Sequence, residues 1–368
     1  MRCFVAKAAE MLSLCPMSHI SSKPVIGITC GDLNGIGIEL IIKTFSDQRM
    51  LDQCTPVIYA SSRTINFYRK QLNEYPLNFQ ILRDFQRLQS KHVYVYNCWE
   101  EEVNITPGQL TEAGGQFAIR ALKTAVDHAR KGWIQGLVTA PIHKANTHSA
   151  DFPYTGHTGF LREAFEVPDV LMLMIADDLK IGVVTEHIPI SDVASAITAQ
   201  AIAGKIDILR KSLMRDFAIE MPRIAVLGLN PHAGDDGHIG TEEKTMIAPL
   251  IQSLRQQDMM VFGPYSADTF FARAQYRYFH AVLAMYHDQG LIPFKSLTQE
   301  PGVNFTAGLP IVRTSPDHGT AFDIAGKNQA DPSSFRQAIF ACIDILRNRV
   351  IYDESTRNPL KKSELQSE

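Results

Sequence analysis

From Pro24 onward the chain alternates short apolar runs with longer amphipathic segments, and no other feature restricts its fold so strongly. "PVIGIT", "TPVIYAS", "WIQGLVTAP", "KIGVVTEH", "RIAVLGLNPHAG", "MMVFGP" and "AVLAMYHDQG" read as strands. Their β-branched, two-sided apolar character suits strands buried on both faces. Between them "GIGIELIIKTF", "TINFYRKQL", "GGQFAIRALKTAVDHARKG", "TAQAIAGKIDILRKSLMRDF", "TEEKTMIAPLIQSLRQQ" and "SSFRQAIFACIDILRNRV" carry apolar residues at helical spacing, and Gly132 reads as a C-terminal cap. The alternation predicts an α/β fold with a largely parallel sheet. At 368 residues, two lobes with a cleft between them are expected.

Bulk properties exclude several classes. A formal net charge of −3 leaves no general basic field for a nucleic-acid backbone. No apolar run approaches the roughly 20 residues that span a bilayer, so neither nucleic acid nor membrane is expected as a partner. Cys3, Cys15, Cys30, Cys54, Cys98 and Cys342 are scattered without a CxxC pair, as free thiols of a reducing compartment, the cytoplasm, would be. The opening segment begins like a signal peptide, but Lys7 and Glu10 interrupt its apolar part. Residues 1–22 are expected to be a poorly ordered extension, with Met17 as an alternative start.

Three of the strand signals run into a histidine: "IGVVTEH" at His187, "IAVLGLNPH" at His232 and "AVLAMYH" at His287. Strand ends on one side of an α/β sheet converge, so three imidazoles there would suit a divalent metal. The competing reading is histidines at loop starts by chance; His92, His128 and His280 already read as surface or packing residues. Asp288 and Asp268 could orient ligand imidazoles, and Asp268 equally suits a helix N-cap.

Anion sites are also open. "TCGDLNGIGIE" matches no nucleotide fingerprint and reads as a tight turn before a helix. "YTGHTGF" places His157 and Thr158 at a helix start, either holding a phosphate or carboxylate or simply capping the helix. Lys295, Asn304 and Arg313 stand beside short apolar segments, and they read either as contacts to a phosphorylated ligand or as surface ion pairs. The stretch from Thr314 to Phe335 is long, rich in glycine and aspartate, and suits a ligand loop.

These residues carry a family resemblance. "DHGTAFDIAGKNQADP" is similar to the adenosine-binding loop of isopropylmalate and isocitrate dehydrogenases, and "GDLNGIGIE" resembles their GDGIGPE segment, with Ile38 where proline is usual. With "TGHTGF", "LNPHAGDDGHIGTEE", "GPYSADTFF", "YHDQGLIPFK" and "GVNFTAGLPIVRTSPDHGTAFDIAGK", the chain resembles the 4-hydroxythreonine-4-phosphate dehydrogenase family from Pro24 to about Arg347. Asp235 replaces an expected glutamate, Cys30 an expected proline, and "SLTQEP" is a variable loop.

The resemblance implies an isocitrate/isopropylmalate dehydrogenase-like fold of two α/β/α lobes. The first lobe would take residues 23–143 and 300–352 with the dinucleotide loop; the second would take 144–299 with the metal and dimer contacts; 353–368 would be a polar tail. It implies His187, His232 and His287 as ligands of one divalent metal (Zn, Co or Mg). His157, Thr158, Lys295, Asn304 and Arg313 would be contacts to a phosphorylated amino-acid substrate. His318, Gly319, Thr320, Asp323 and Gly326 would be contacts to NAD or NADP, with Asp323 either on the ribose or capping a helix. Asp268 and Asp288 are the candidate catalytic carboxylates, and a homodimer would complete each site. The implied reaction is NAD(P)-linked oxidation of 4-phosphooxy-L-threonine followed by decarboxylation, in pyridoxal phosphate biosynthesis. A sister activity on 4-phospho-D-erythronate or D-threonate is the alternative.

Overall fold

Runs such as Val25–Thr29 and Thr55–Ala60 are apolar on both faces, which only a sheet covered by helices on both sides can accommodate. The computed structural model describes residues 23–176, 178–298 and 301–357. The extension expected over residues 1–22, with Cys3 and Cys15, lies outside them. Cys30, Cys54, Cys98 and Cys342 are buried free thiols.

The chain divides into two compact units. The first takes the described residues up to Val170 and those from 301 to Ile343. Its strands are β1 (Val25–Thr29), β2 (Thr55–Ala60), β3 (Phe79–Ile81), β4 (Val93–Asn97), β5 (Gly136–Thr139), β11 (Val303–Ala307) and β12 (Val312–Pro316), in the order β3-β4-β2-β1-β5-β12-β11. All neighbours are parallel except the β11/β12 pair. Helix Glu112–Arg130 starts at Thr111, whose hydroxyl accepts the Gly114 N–H, and ends with Gly132 at φ 72°, the glycine cap expected of it.

The second unit runs from Leu171 to Gln299 and resumes at Asp344. It holds β6 (Leu171–Ala176), β7 (Leu179–Val183), β8 (Ile224–Leu227), β9 (Val261–Tyr265) and β10 (Ala281–Ala284), ordered β6-β7-β10-β8-β9. Only the β6/β7 pair is antiparallel; β7, β10 and β8 are parallel neighbours. Its core includes Met174, Ile181, Val183, Leu227, Phe270, Val282, Leu291 and Phe294. Truncating a fully buried aromatic such as Phe294 to alanine costs about 3–5 kcal/mol.

Three features differ from the sequence reading. The division falls after Val170 rather than at residue 144, because residues 144–170 are tied to the first unit. Asn146 Nδ2 donates to Asp32 Oδ2 at 2.7 Å and to the Thr111 carbonyl at 2.8 Å, and Lys123 Nζ to the Asp151 carbonyl at 2.8 Å. Helix Ser333–Thr356 continues past the expected start of the polar tail, and Asp353 accepts two bonds from Arg215 at 2.9 and 2.6 Å. Residues 358–368 lie outside the described chain. Finally, "HDQG", read as the end of the "AVLAMYHDQG" strand signal, opens a helix (His287–Leu297) despite Gly290 and Pro293. A Cβ at Gly290 would sit 3.0 Å from Ile181 and 3.1 Å from Val183, so glycine lets the helix close onto β7, and Leu291 and Phe294 are buried with it.

Candidate active site

In the second unit, β7, β10 and β8 lie side by side and point the same way, so the segments leaving them emerge on one edge. These segments carry the three histidines. β10 stops at Ala284, and His287 is the first residue of the following helix rather than the end of a strand. His187 lies four residues beyond β7, and His232 in a turn beyond β8. Thr185 ties the first two edges, donating through its backbone N–H and its hydroxyl to the Met285 carbonyl at 3.1 and 2.9 Å. Gln289 ties β10 to β8: its Oε1 accepts the Met285 N–H and its Nε2 donates to the Gly228 carbonyl, each at 2.7 Å.

The His187 and His287 rings lie 5.6 Å apart between centroids. They line a cavity of about 330 Å³ with Thr185, Glu186, Tyr286 and Asp288. Asp288 Oδ1 contacts His287 Nδ1 at 2.7 Å, which leaves Nε2 of that ring for a ligand and matches the usual carboxylate support of a metal-binding imidazole. The donor chemistry therefore fits a divalent cation. His232 is not drawn into the same cluster: among the described residues no three His, Cys, Asp or Glu side chains are close enough together to hold a metal.

The turn bearing His232 packs on helix Ala267–Ala272, which carries Asp268. Asp268 is not that helix's N-cap. Ser266 takes the cap position, Asp268 sits in the first turn, and the Ser266 hydroxyl donates to it. That bond, with the Thr269 N–H, holds its carboxyl below the usual range.

The first unit contains the anion candidates. Arg313, on β12, is buried at 3% exposure, so it is not part of a surface ion pair. Its Nε and Nη2 donate to the Thr139 hydroxyl at 3.1 and 2.6 Å, and Nη1 to the Thr306 hydroxyl at 3.0 Å. His157 opens helix His157–Ala164 with Thr158 in its first turn. Its Nε2 is buried without a hydrogen-bond partner among the described residues. Burial, with the Arg313 charge second, pushes this imidazole well below its ordinary pKa. It is a ring with a lowered pKa and an idle nitrogen, within reach of the Arg313 charge, and it suits an anion's oxygen. Asn304 lies on β11 opposite Ser315, and Lys295 is exposed near the end of helix His287–Leu297 in the second unit.

The Thr314–Phe335 stretch leaves β12 as an irregular loop anchored at both ends to the helix Gly37–Phe45. The Thr320 carbonyl accepts the Ile36 N–H at 3.0 Å. The Ala330 carbonyl accepts from Lys43 Nζ at 2.8 Å, and its N–H donates to Glu39 Oε1 at 2.9 Å. Glu39 and Lys43 pair at 2.8 Å in the interior. His318 Nδ1 lies 3.0 Å from the Gly319 carbonyl. Asp323 is exposed and caps no helix, and Gly326 has a φ of 75°. The "GDLNG" turn is tight as expected: Gly31 adopts φ 68°, where a Cβ would lie 2.4 Å from the Pro141 carbonyl oxygen. Asp32 is buried there, and burial raises its pKa despite the bonds from Asn146 and Asn34.

Sequence reasoning did not single out Thr139, Thr306, Gln289 or Glu243. No local pattern marks them: Thr139 and Gln289 act on partners 174 and 61 positions away, Thr306 meets Arg313 through the pairing of β11 with β12, and Glu243 reaches back to the Leu229 and Asn230 backbone.

Residues 52–342 match the family described as pyridoxal phosphate biosynthetic protein PdxA. A 4-hydroxythreonine-4-phosphate dehydrogenase of Bacteroides thetaiotaomicron is 45% identical over 338 residues, 92% of this chain and 93% of that one. A solved 4-hydroxythreonine-4-phosphate dehydrogenase of Klebsiella pneumoniae superposes with a TM-score of 0.78 at 32% identity, covering 89% of this chain and 99% of that one. One from Burkholderia phymatum gives 0.74 at 35% identity, over 88% and 99%.

Proposed function

The chain is a member of the pyridoxal phosphate biosynthetic protein PdxA family and an oxidoreductase, and on that premise we propose that it oxidises 4-phosphooxy-L-threonine with NAD or NADP in vitamin B6 biosynthesis. The reaction removes the C3 hydrogen as hydride and the hydroxyl proton, giving 2-amino-3-oxo-4-phosphooxybutanoate. That β-keto acid loses CO2 to leave 3-amino-2-oxopropyl phosphate. The observation that carries this reading is the idle, buried Nε2 of His157, which lies within reach of the Arg313 charge and suits an anionic group.

His157, Thr158, Asn304, Arg313 and Lys295 bind the substrate's anionic groups. Arg313 is held in one rotamer by Thr139 and Thr306, so little ordering is left to binding. His318, Gly319, Thr320, Asp323 and Gly326 hold the nicotinamide cofactor, which accepts the hydride when bound. His187, His232 and His287 would hold one divalent cation, Zn, Co or Mg, which requires His232 to be brought to the other two; when bound the cation would supply Lewis-acid polarisation of the C3 oxygen. Asp288 orients His287 through the Nδ1 contact. Asp268, kept ionised by Ser266 and Thr269, is the carboxylate available to take a proton. The active protein is a cytoplasmic homodimer whose sites are completed by the second subunit. Among the described residues no helix is long and apolar enough to cross a membrane.

The test is formation of reduced nicotinamide from 4-phosphooxy-L-threonine by the purified protein, with and without a chelator, beside the His232→Ala variant. Chelator-sensitive reduction that the variant lacks is expected. Reduction with 4-phospho-D-erythronate or D-threonate but not with the amino-acid phosphate would overturn the substrate assignment.

A further inference from the structure

Residues 232–237, His-Ala-Gly-Asp-Asp-Gly, all have positive φ, between 42° and 98°. His232, Ala233, Asp235 and Asp236 are not glycine, and L-residues enter this left-handed region in succession only where the surroundings over-determine them. The surroundings here centre on one buried side chain. Glu243, 4% exposed, opens a π-helical turn (Glu243–Ile247). Its Oε1 accepts the backbone N–H groups of Leu229 and Asn230, each at 2.7 Å, and its Oε2 accepts from Asn230 Nδ2 at 3.0 Å. Glu242 Oε2 takes the same amide at 2.8 Å, and Lys244 Nζ reaches the Asp236 carbonyl at 3.2 Å.

The carboxylate also fills the space that two glycines leave. A Cβ at Gly228 would lie 3.1 Å from Glu243 Oε1, and one at Gly234 would lie 2.7 Å from Oε2. Gly228 is the residue whose carbonyl Gln289, two positions after His287, also grips. Hydrogen bonds accepted by one carboxylate therefore fix the backbone just before His232, and the same strand end is linked to the helix that begins at His287.

The geometry points to Glu243 as the positioning residue for His232: its buried carboxylate templates the left-handed turn and so sets where that imidazole is held beyond β8. This deepens the metal reading given above and rests on it. Glu243 does not touch the cation or the substrate; it acts through the Leu229–Asn230 backbone. A buried carboxylate satisfied by N–H donors is a strong acceptor, and glutamine in its place keeps Oε1 but turns an NH2 group toward the Asn230 amide donor.

The experiment compares full-length wild type, Glu243→Gln and His232→Ala. Amide hydrogen exchange over residues 229–240 is read in metal-stripped protein, and Co(II) affinity is read by competition with a chelating dye. In Glu243→Gln, exchange is expected to rise over 229–240 while β6 and β7 stay protected, and the Co(II) dissociation constant to rise about ten- to a hundredfold. Unchanged exchange and affinity would overturn the positioning role. So would exchange that rises throughout the second unit, since Glu243 would then be a general core residue. Equal Co(II) binding by wild type and His232→Ala would remove the metal reading; exchange in the stripped protein would still decide whether Glu243 holds the turn.

Discussion

The two units present their chemistry differently. In the first, Arg313 lies on a strand, is buried, and has its fork bonded to two threonine hydroxyls from neighbouring strands. In the second, the histidines stand beyond the strands, with His187 and His287 side chains 48% and 34% exposed. Recognition of an anion needs fixed charge in a fixed place, and a sheet interior supplies it. Cation binding needs neutral imidazoles with a nitrogen turned outward, which loops past a sheet edge supply. Rigidity in the second unit comes instead from the hydrogen bonds around those loops: Thr185, Gln289, Asp288 and Glu243.

The largest effect should come from the second unit. If His287 holds the proposed cation, His287→Ala lowers kcat about a thousandfold, the several kcal/mol of charge stabilisation that a bound cation would supply, and abolishes tight Co(II) binding measured by dye competition. Activity within a few-fold of wild type would break the contrast by removing the metal from the chemistry. In the first unit, Arg313→Lys replaces a braced fork with a point charge. The expected outcome is a rise of about ten- to a hundredfold in KM for the phosphorylated substrate, with Co(II) affinity unchanged. If kcat falls instead and KM does not, Arg313 belongs to the chemistry and not to binding.

A smaller effect is expected from Asp288→Asn, which keeps an acceptor for His287 Nδ1 but removes its charge. Co(II) affinity should weaken about tenfold, and a variant that binds as wild type does would show that the contact is incidental.

The smallest effect is on stability against pH. The folded-state pKa of His157 lies below its unfolded value, which is about 6.5. Its neutral form therefore contributes stability above that pH. As the pH falls below it, the unfolded chain gains a proton that the folded chain refuses, and stability declines. His128, also buried with a lowered pKa, acts with the same sign. Urea denaturation of His157→Gln between neutral and mildly acid pH should show a shallower decline than wild type, and an equal slope would remove His157 as its source.

Most of the fold class was legible from residues alone. Two-sided apolar runs such as "PVIGIT" and "AVLAM" can only be interior strands, and "GGQFAIRALKTAVDHARKG" declares a helix and its cap. Strand β4, "VYVYN", and β6, "LMLMIA", went unread, and the apolar run of β6 suits helix or strand equally. Helix His287–Leu297 was hidden because Gly290 and Pro293 disfavour it locally. Packing of Gly290 against β7 and burial of Leu291 and Phe294 outweigh that preference, and no window of sequence contains β7 as well.

The same division runs through the site. By itself the sequence determined which side chains are chemically equipped: three imidazoles after strand signals, an arginine in an apolar segment, and a glycine-rich loop, with motifs enough to identify the family. Only the tertiary structure decided which nitrogen is idle, as at His157, which carboxylate serves which partner, as at Asp268 and Asp288, and what keeps the His232 backbone left-handed. Residue type is local information. Burial and side-chain orientation are set by whatever segments pack around a residue, some of them distant, as with Arg313 and Thr139, separated by 174 positions.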